Sequence, residues 1–489
     1  MKLDDIIKDI KIISILGPKD IEIKGLAYDS RKVKKDDLFI CINGSNMDGH
    51  EFIESAKVKG AIAFLIEEDV EKDDGFTYIK VKSTDEVLST LGRNFYDNPS
   101  DKINLIGVTG TNGKTSVSSF LKDILSEYCN CGFIGTTGIY DGKNYIENKN
   151  TTPNNIEIQK NLNNMYENNC KYCAMEVSSH ALSLNRVENL NYKIGIFTNL
   201  TEDHLDFHKN FENYRKAKEK LFFMTSKANI INIDDINGRI ILENIKDLQI
   251  PCLTYGINYD ATFMGKDIKL YEDKTTFTLL GPDNLKKEIT LNMVGQFTVY
   301  NILAVICACY ALDININEII NKLSKLKGVC GRFEKVENDK NINVVVDYAH
   351  TPDALDNVLK SIKAFVKGNI ITVFGCGGNR EKSKRPIMGE ISQKYSDFTI
   401  ITSDNPRYEE PEDIISDILE GIDRKKDNYI VIEDRKEAIK YAINKAKKGD
   451  FVLIAGKGHE SYQIIKDHIF EFDDKLVAKE IIDKLNDII

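Results

Sequence analysis

Short apolar runs recur along the whole chain, each closed by glycine, threonine or a charged residue, with longer mixed stretches between them. Such runs read as buried strands, and the mixed stretches between them read as helices. Runs at 37–42 and 61–66, separated by one helical stretch, predict a small α/β unit reaching to about residue 99. The run at 103–108 flows into a Gly/Thr turn and a helix from Ser116, and further runs stand at 174–177, 194–197 and 229–232. Strands spaced by helices in this way predict a parallel sheet. A β-rich patch from about 261 to 292 then precedes a helix over 299–312.

From about Gly331 the alternation becomes almost metrical. Strands are predicted at 343–346, 370–374, 398–401, 429–432 and 451–454, with helices between them, which is the pattern of a second doubly wound α/β domain. The pattern predicts a three-domain α/β chain: residues 1–100, 101–330 and 331–489. No internal repeat or low-complexity tract interrupts it.

Composition narrows the setting. A chain of 489 residues is too long for one ordinary core, so several domains are expected on length as well. The net charge is −10, from 66 basic and 76 acidic residues, which argues against a protein that coats nucleic acid or lies on a membrane surface. No stretch approaches the ~20 apolar residues of a membrane span. The start, MKLDDIIKDIKIISIL, is broken by Lys and Asp too often for a signal peptide, so a cytoplasmic protein is expected. Ten cysteines in a chain this long are no disulfide framework. Cys170 and Cys173 form one CxxC without a second pair at zinc-ribbon spacing, and Cys173 opens an apolar run, so buried structural thiols are expected there.

The sharpest local signal is GVTGTNGKTS, from Gly107 to Ser116. Glycines let backbone N–H groups converge on phosphate oxygens, and the positive end of the following helix adds to the attraction. Lys114 can reach the β- and γ-phosphates, and the Thr115 hydroxyl suits Mg²⁺. The general P-loop has glycine five residues before its Gly-Lys pair; Val108 stands there, which makes this a variant with Gly110 close to the turn. Ser179–His180 has no nucleophile elbow, so capping or packing is expected of it. Glu176 ends an apolar strand, where an unpaired carboxylate is unfavourable, which points to a metal ligand. His204 alone fits a structural or a ligating role. Lys218 lies in the lysine-rich YRKAKEKLF, where any one lysine is by default a solvated residue.

GTNGKT resembles the signature of the Mur ligase superfamily, ATP-dependent amide-forming enzymes of peptidoglycan synthesis that also include folylpolyglutamate synthetases. NTTP from Asn150, EVSSHAL from Glu176, TNLTEDHLDFH from Thr198 and GRFE from Gly331 resemble further motifs of that family, in order. DYAHTPDAL from Asp347, GCGGNREKSKRP from Gly375, DNPR from Asp404 and GKGHE from Gly456 continue the series, so the likeness spans essentially the whole chain. It implies ATP binding by Gly110, Thr111, Asn112, Gly113, Lys114, Thr115, Ser116, Asn301 and Arg332. Thr298 stands where the family often has a first asparagine, which puts a contact from that position in doubt. Mg²⁺ ligands are implied at Thr115, Glu176, His204 and Lys218, with Lys114, Lys218 and His204 catalytic. Tyr214, Ala217 and Lys218 fit the family's YxxAK pattern, whose lysine is carbamylated by CO₂. An ammonium cannot bind Mg²⁺, whereas a carbamate offers the anionic oxygen that ion prefers.

The outer segments decide what is joined. AYDSRKV, with Ser30, resembles the uridine-nucleotide site of family members that take UDP-N-acetylmuramoyl-L-alanyl-D-glutamate, although Asp-Ser-Arg in a loop is ordinarily a turn. Asn150, Thr151, Thr152, Ser178 and Arg186 match positions that hold the muramoyl-peptide; Leu184 replaces what relatives can have as a polar partner. The third domain resembles the part that binds the incoming amino acid, with Arg380, Asp404, Asn405, Arg407, Gly456 and Glu460 at the matching positions. Diaminopimelate differs from lysine by a distal carboxylate, and a buried carboxylate calls for a bidentate arginine. DNPR with Arg407 is the family pattern for diaminopimelate. The resemblance therefore implies ATP-dependent attachment of meso-diaminopimelate through an acyl phosphate, by a monomer with small-molecule substrates and no nucleic-acid partner. Addition of lysine or another diamino acid is the alternative within the same reaction. A folylpolyglutamate synthetase generally lacks a segment like AYDSRKV, and a nucleotide-binding switch has no use for Glu176, His204 and Lys218 together.

Overall fold

The computed structural model describes residues 1–485 apart from 45, 46, 149 and 341. The chain packs as two compact units. The first takes Met1–Gly107, Leu125–Ile194 and Met224–Ser226; the second takes Val108–Ile124, Gly195–Phe223 and the residues from Lys227 onward. The chain passes between the units inside the strands Asn104–Thr109, Tyr192–Phe197 and Thr225–Asn232, inside the helix Lys114–Ser126, and between residues 223 and 224.

In the first unit a five-stranded sheet runs in the order Ile12–Leu16, Thr77–Val81, Ala61–Ile66, Asp37–Ile40, Gly25–Ala27. The first pair is antiparallel and the others are parallel. Its middle strands are apolar on both sides, as parallel strands covered on both faces must be. The period-two alternation sorts them: Leu38, Ile40, Ala63, Leu65 and Ile79 enter one core, and Phe39, Cys41, Phe64, Ile66 and Tyr78 the other. The register keeps them matched, with Leu38 beside Ala63 and Phe39 beside Phe64. The edge strand Ile12–Leu16 has mixed burial. Helix Thr84–Phe95 is capped by Ser83, and helix Asn155–Glu167 by Asn154, which accepts from the Glu157 N–H at 3.0 Å. Strand Tyr172–Glu176 pairs in parallel with Cys131–Gly135, which turns back antiparallel into Gly138–Tyr140.

In the second unit Cys252–Gly256 lies parallel between Thr225–Asn232 and Phe263–Leu270. The antiparallel strands Thr275–Gly281 and Leu285–Leu291 complete the β-rich patch. The helix expected from 299 begins earlier, as Gln296–Ala311, because Gly295 supplies its left-handed start. A second sheet runs Glu334–Lys335, Asn343–Asp347, Phe451–Ala455, Ile370–Phe374, Phe398–Ile401, Tyr429–Val431. Only the two-residue edge strand is antiparallel. The loops that carry DYAH, GCGGNR, DNPR and GKGHE all leave the carboxyl ends of these parallel strands, where doubly wound sheets hold their ligands. One hairpin had no counterpart in the sequence pattern: Tyr462–Ile465 paired with His468–Glu471. Among the described residues no helix is long and apolar enough to cross a membrane, and all ten cysteines are free thiols, with Cys170 and Cys173 buried.

Candidate active site

The phosphate-type loop leaves strand Asn104–Thr109 and enters helix Lys114–Ser126, with Ser116 in its first turn. Gly110 has φ +151°, and a Cβ there would lie 1.8 Å from the Thr198 hydroxyl, so no other residue fits. The TNLTEDH motif shapes this loop. The Thr111 N–H donates to Asn199 O at 2.9 Å, the Asn112 N–H to Asn199 Oδ1 at 2.9 Å, and the Thr198 hydroxyl to Asn112 O at 2.6 Å. Lys114 Nζ donates to the carbonyls of Gly110 and Thr111 at 2.9 and 2.8 Å.

Residues far away in sequence meet the same loop. Arg332 Nη2 donates to the Thr115 hydroxyl at 3.1 Å while its guanidinium stacks 4.2 Å over the Tyr348 ring. Asn112 Nδ2 donates to Asp353 at 2.9 Å, and Asn301 Oδ1 sits 2.7 Å from where a Cβ on Gly113 would project. Thr298 turns its hydroxyl back onto Val294 O at 3.0 Å, as a helix-start residue does. Thus Asn112, Gly113, Lys114, Thr115, Asn301 and Arg332 are gathered around one loop. Asp353 and Tyr348 join them, although sequence reasoning gave neither a role; both lie inside the DYAHTPDAL motif.

Lys218 is 1% exposed, on helix Phe211–Glu219. Its Nζ donates to the same Gly110 carbonyl at 2.8 Å and lies 4.6 Å over the Tyr214 ring. Burial, and then the neighbouring Lys114 charge, push its pKa well below the ordinary lysine value, which favours a neutral amine. His204 has a left-handed backbone, φ 56°, and its Nε2 stands 3.4 Å from Asp203. Burial raises the Asp203 carboxyl, but His204, His350, Lys384 and Lys114 more than offset this and hold it low. Among the described residues no group of three or more His, Cys, Asp or Glu side chains is placed to hold a metal ion.

In the first unit Glu176 is fully buried, and its carboxylate accepts from the Thr136 N–H at 2.8 Å and the Thr136 hydroxyl at 3.1 Å. Thr136 Oγ1 also lies 3.0 Å from Thr151 Oγ1. The Thr152 hydroxyl donates to Glu176 O at 2.8 Å and accepts from the Ser178 N–H at 3.0 Å. Arg186 reaches Thr152 O at 3.5 Å, and Ser178 caps the short helix Ser179–Ser183. Thr151, Thr152, Ser178, Arg186 and Glu176 therefore form one network. Asn150 and Ser30 stand outside it: Asn150 is held by Asn148 Oδ1, and Ser30 opens a 3₁₀ turn capped by Asp29. Tyr28 ties that turn's strand to helix Asn155–Glu167, donating to Glu157 at 2.5 Å and accepting from Asn154 Nδ2 at 2.7 Å. Leu184 is half exposed, with an apolar side chain where a polar partner was in question.

The carboxyl ends of the last sheet gather the remaining candidates. Arg407 takes a left-handed backbone, φ 54°, because the unexpected hairpin grips it: its N–H donates to Ile464 O at 3.1 Å and its carbonyl accepts from the Lys466 N–H at 2.6 Å. Its half-buried guanidinium donates to the carbonyls of Gly378 and Asn405, at 2.8 and 3.4 Å, and no ion-pair partner stands beside it among the described residues. Burial, and then repulsion from Arg380, lower its pKa. Arg380 is exposed on the adjacent loop. Asn405 Nδ2 donates to Glu460 Oε2 at 2.8 Å, and a Cβ on Gly456 would come within 2.8 Å of Asp404 Oδ2. Lys457, which sequence reasoning passed over, is fully buried between Asn405 and Glu460.

Known proteins match this chain along its length. Residues 22–96 match the Mur ligase family catalytic domain, residues 108–309 the Mur ligase middle domain, and residues 331–458 the Mur ligase glutamate ligase domain. The UDP-N-acetylmuramoyl-L-alanyl-D-glutamate–2,6-diaminopimelate ligase of Clostridioides difficile (strain 630) is 56% identical over 486 residues, covering 99% of this chain and 100% of that one. The ligase of the same name from Alkaliphilus metalliredigens (strain QYMF) is 47% identical over 482 residues, covering 98% and 97%. A solved structure of a UDP-N-acetylmuramoyl-L-alanyl-D-glutamate–2,6-diaminopimelate ligase has a TM-score of 0.68 at 31% identity, covering 99% of both chains. MurF from Acinetobacter baumannii shares the fold, with a TM-score of 0.72 at 16% identity and 99% of both chains covered. The architecture is the three-domain α/β one of these ligases, and the chain belongs to the Mur ligase family.

Proposed function

We propose that this chain is an ATP-dependent, ADP-forming ligase that attaches meso-diaminopimelate to UDP-N-acetylmuramoyl-L-alanyl-D-glutamate in peptidoglycan precursor synthesis. ATP phosphorylates a carboxylate of the nucleotide substrate, and the diaminopimelate amine attacks the acyl carbon and displaces phosphate, leaving the amide. The 56% identity to a ligase of that name supports the reading. The observation that carries the choice of amino acid is Arg407, a half-buried guanidinium with backbone partners and no ion-pair partner among the described residues. A buried cation in that state suits a ligand carboxylate. Diaminopimelate has one at its distal end and lysine does not. Arg380 serves another carboxylate of the substrate, and Glu460 an ammonium.

Lys114 and the residues around its loop bind ATP and offset charge as the phosphoryl group moves between oxygens. Burial and the nearby Lys114 favour the neutral form of the Lys218 amine, which is suited to attack CO₂, forming an N–C bond and releasing one proton to give the carbamate. Thr115, His204 and carbamylated Lys218 would hold Mg²⁺, and Glu176 would supply a further carboxylate ligand for that ion. The donor set fits the ion on this condition, because the unmodified amine supplies no anionic oxygen. Mg²⁺, when bound, neutralises phosphate charge. Asn150, Thr151, Thr152, Ser178 and Arg186 hold the muramoyl-peptide, with Ser30 at the uridine nucleotide. The three proposed functional domains are residues 1–100, 101–330 and 331–489, and the working form is a cytoplasmic monomer.

The test is ADP release with the UDP-muramoyl-dipeptide and a panel of diamino acids. Meso-diaminopimelate is expected to drive turnover far better than L-lysine. A preference for lysine, or ADP release independent of any amino acid, overturns the reading.

A further inference from the structure

A lysine with no exposed surface needs partners that justify its charge. Lys457 is such a residue, at 0% exposure on the turn after strand Phe451–Ala455. Its Nζ donates to Asn405 Oδ1 at 3.1 Å and to Glu460 Oε2 at 3.4 Å, and stands 5.6 Å over the Tyr462 ring. The Asn405 amide is keyed between them. Its Oδ1 accepts from Lys457 Nζ and from the Ile464 N–H at 2.9 Å, and its Nδ2 donates to Glu460 Oε2 at 2.8 Å. With two donors on one side and a carboxylate on the other, the amide has one satisfactory orientation. Oε2 of Glu460 is thereby tied inward to Lys457 and Asn405, whereas among the described residues Oε1 has only the Tyr348 hydroxyl, at 3.5 Å.

We infer that Lys457 is a positioning residue for the amino-acid substrate, holding Glu460 ionised and oriented, directly and through Asn405, so that its outer oxygen can take the substrate ammonium. The inference rests on the diaminopimelate reading of this site and deepens it. Charge makes the support necessary. Glu460 is only 16% exposed and faces Asp404, so burial and that second carboxylate push its pKa up on balance, and Lys457 and Asn405 offset part of the rise. The other charged and titratable groups around it are Arg407, Arg435, Tyr348 and Tyr462. Arg435 is already paired with Asp474 at 2.7 Å, and the Arg407 guanidinium is directed at backbone carbonyls, which leaves Lys457 as the cation bonded to Glu460 among the described residues. Removing its charge lets Glu460 take up a proton at a higher pH, and a protonated carboxyl attracts an ammonium poorly.

The experiment compares Lys457→Met, Lys457→Gln, Glu460→Gln and the double variant Lys457→Met/Glu460→Gln, by steady-state kinetics across pH. Lys457→Met is expected to raise the diaminopimelate KM by about tenfold near neutral pH, with much smaller changes in kcat and in the KM for ATP and for the nucleotide substrate. The acid limb of kcat/KM for diaminopimelate should move to higher pH by about one unit. Because Lys457 acts through Glu460, the double variant should be no worse than Glu460→Gln alone. Should Lys457→Met not fold, Lys457→Gln keeps hydrogen-bonding capacity without charge and must show the same displaced limb. An acid limb that stays in place, or losses that add in the double variant, overturns the role of Lys457 while leaving the site reading intact. A Glu460→Gln enzyme with an unchanged diaminopimelate KM overturns the site reading itself, and the inference with it.

Discussion

Lys218 and Lys457 are equally shut off from solvent, at 1% and 0% exposure, in regions that treat a buried amine in opposite ways. Lys218 finds a carbonyl, an aromatic face and a second lysine, with Asp203 as a weaker counterweight. Nothing in that set bonds a positive charge strongly, and the amine is driven toward neutrality. Lys457 finds a carboxylate and an amide oxygen, partners for an ammonium. Burial by itself therefore does not determine what a lysine does; the sign of its nearest partners does. On the proposed readings, the first environment suits a nucleophile toward CO₂ and the second a fixed counter-charge for a substrate-binding acid. The two regions should also fail differently when damaged. Loss around the phosphate loop should stop turnover with any amino acid, whereas loss around DNPR and GKGHE should change which amino acid is used.

The largest effect is expected at the loop. Lys114→Ala should abolish measurable ADP formation with every amino acid while the thermal melt stays close to wild type, because Lys114 bonds loop carbonyls rather than filling a core. Near-normal turnover would remove the loop lysine from the chemistry. Lys218→Ala comes next, with a loss of about a thousandfold, on the scale of deleting one electrostatic stabiliser of a transition state. High concentrations of acetate should restore part of it by replacing the lost oxygens, and acetate should do nothing for Lys114→Ala. An active protein whose Lys218 has the mass of an unmodified lysine would break the contrast between the two buried amines.

The amino-acid region is probed by Arg407→Ala. Removing one side of a buried charge pair costs roughly 3–5 kcal/mol, so diaminopimelate use should fall by about a hundredfold or more. Lysine has no distal carboxylate, so its use, expected to be poor, should change far less or improve once the guanidinium no longer opposes its ammonium. Equal losses for both amino acids would mean general damage rather than a lost reading of the carboxylate.

Much of this was legible because the informative residues are local. Parallel strands buried on both faces are continuous apolar runs, so Asp37–Ile40 and Ile370–Phe374 stand out without any tertiary information. The hairpin Tyr462–Ile465 and His468–Glu471 does not, because its residues are exposed or half-exposed and no burial pattern is impressed on them. Yet that hairpin sets the left-handed backbone of Arg407. The site shows the same division. GTNGKT and DNPR are contiguous, whereas the bond between Asn112 and Asp353 joins residues 241 positions apart, and the one between Thr136 and Glu176 joins residues 40 apart. Lys457 was hidden by its context, since a lysine between two glycines reads as an exposed turn until the fold turns it inward.

The smallest expected effect concerns the clamp beneath Arg407, and it separates stability from chemistry by pH. Glu409 accepts both arms of the fully buried Arg385, at 2.9 and 3.0 Å, and also accepts from the Asn379 N–H, joining the loop of Arg380 to the loop of Arg407. Hydrogen bonds from Arg385, opposed by burial, depress the Glu409 carboxyl from 4.5 to about 2. A depressed acid contributes stability above its unfolded-state pKa and loses it as pH falls through its folded-state value. Glu409→Gln keeps the shape but gives up the charge, and Arg385 retains Asp417 at 2.7 Å, so the loss at pH 7 should be about 1–2 kcal/mol. In urea unfolding the gap between wild type and variant should be full at neutral pH and close progressively below 4.5, toward about 2. Diaminopimelate KM should rise a few-fold at neutral pH with little change in kcat, because Arg407 and Arg380 are held less firmly but neither is removed. A gap of constant size down to about pH 3 would show that the carboxylate's charge is not what clamps the two loops, and the selectivity of this region would then rest on Arg407 and Glu460 without that support.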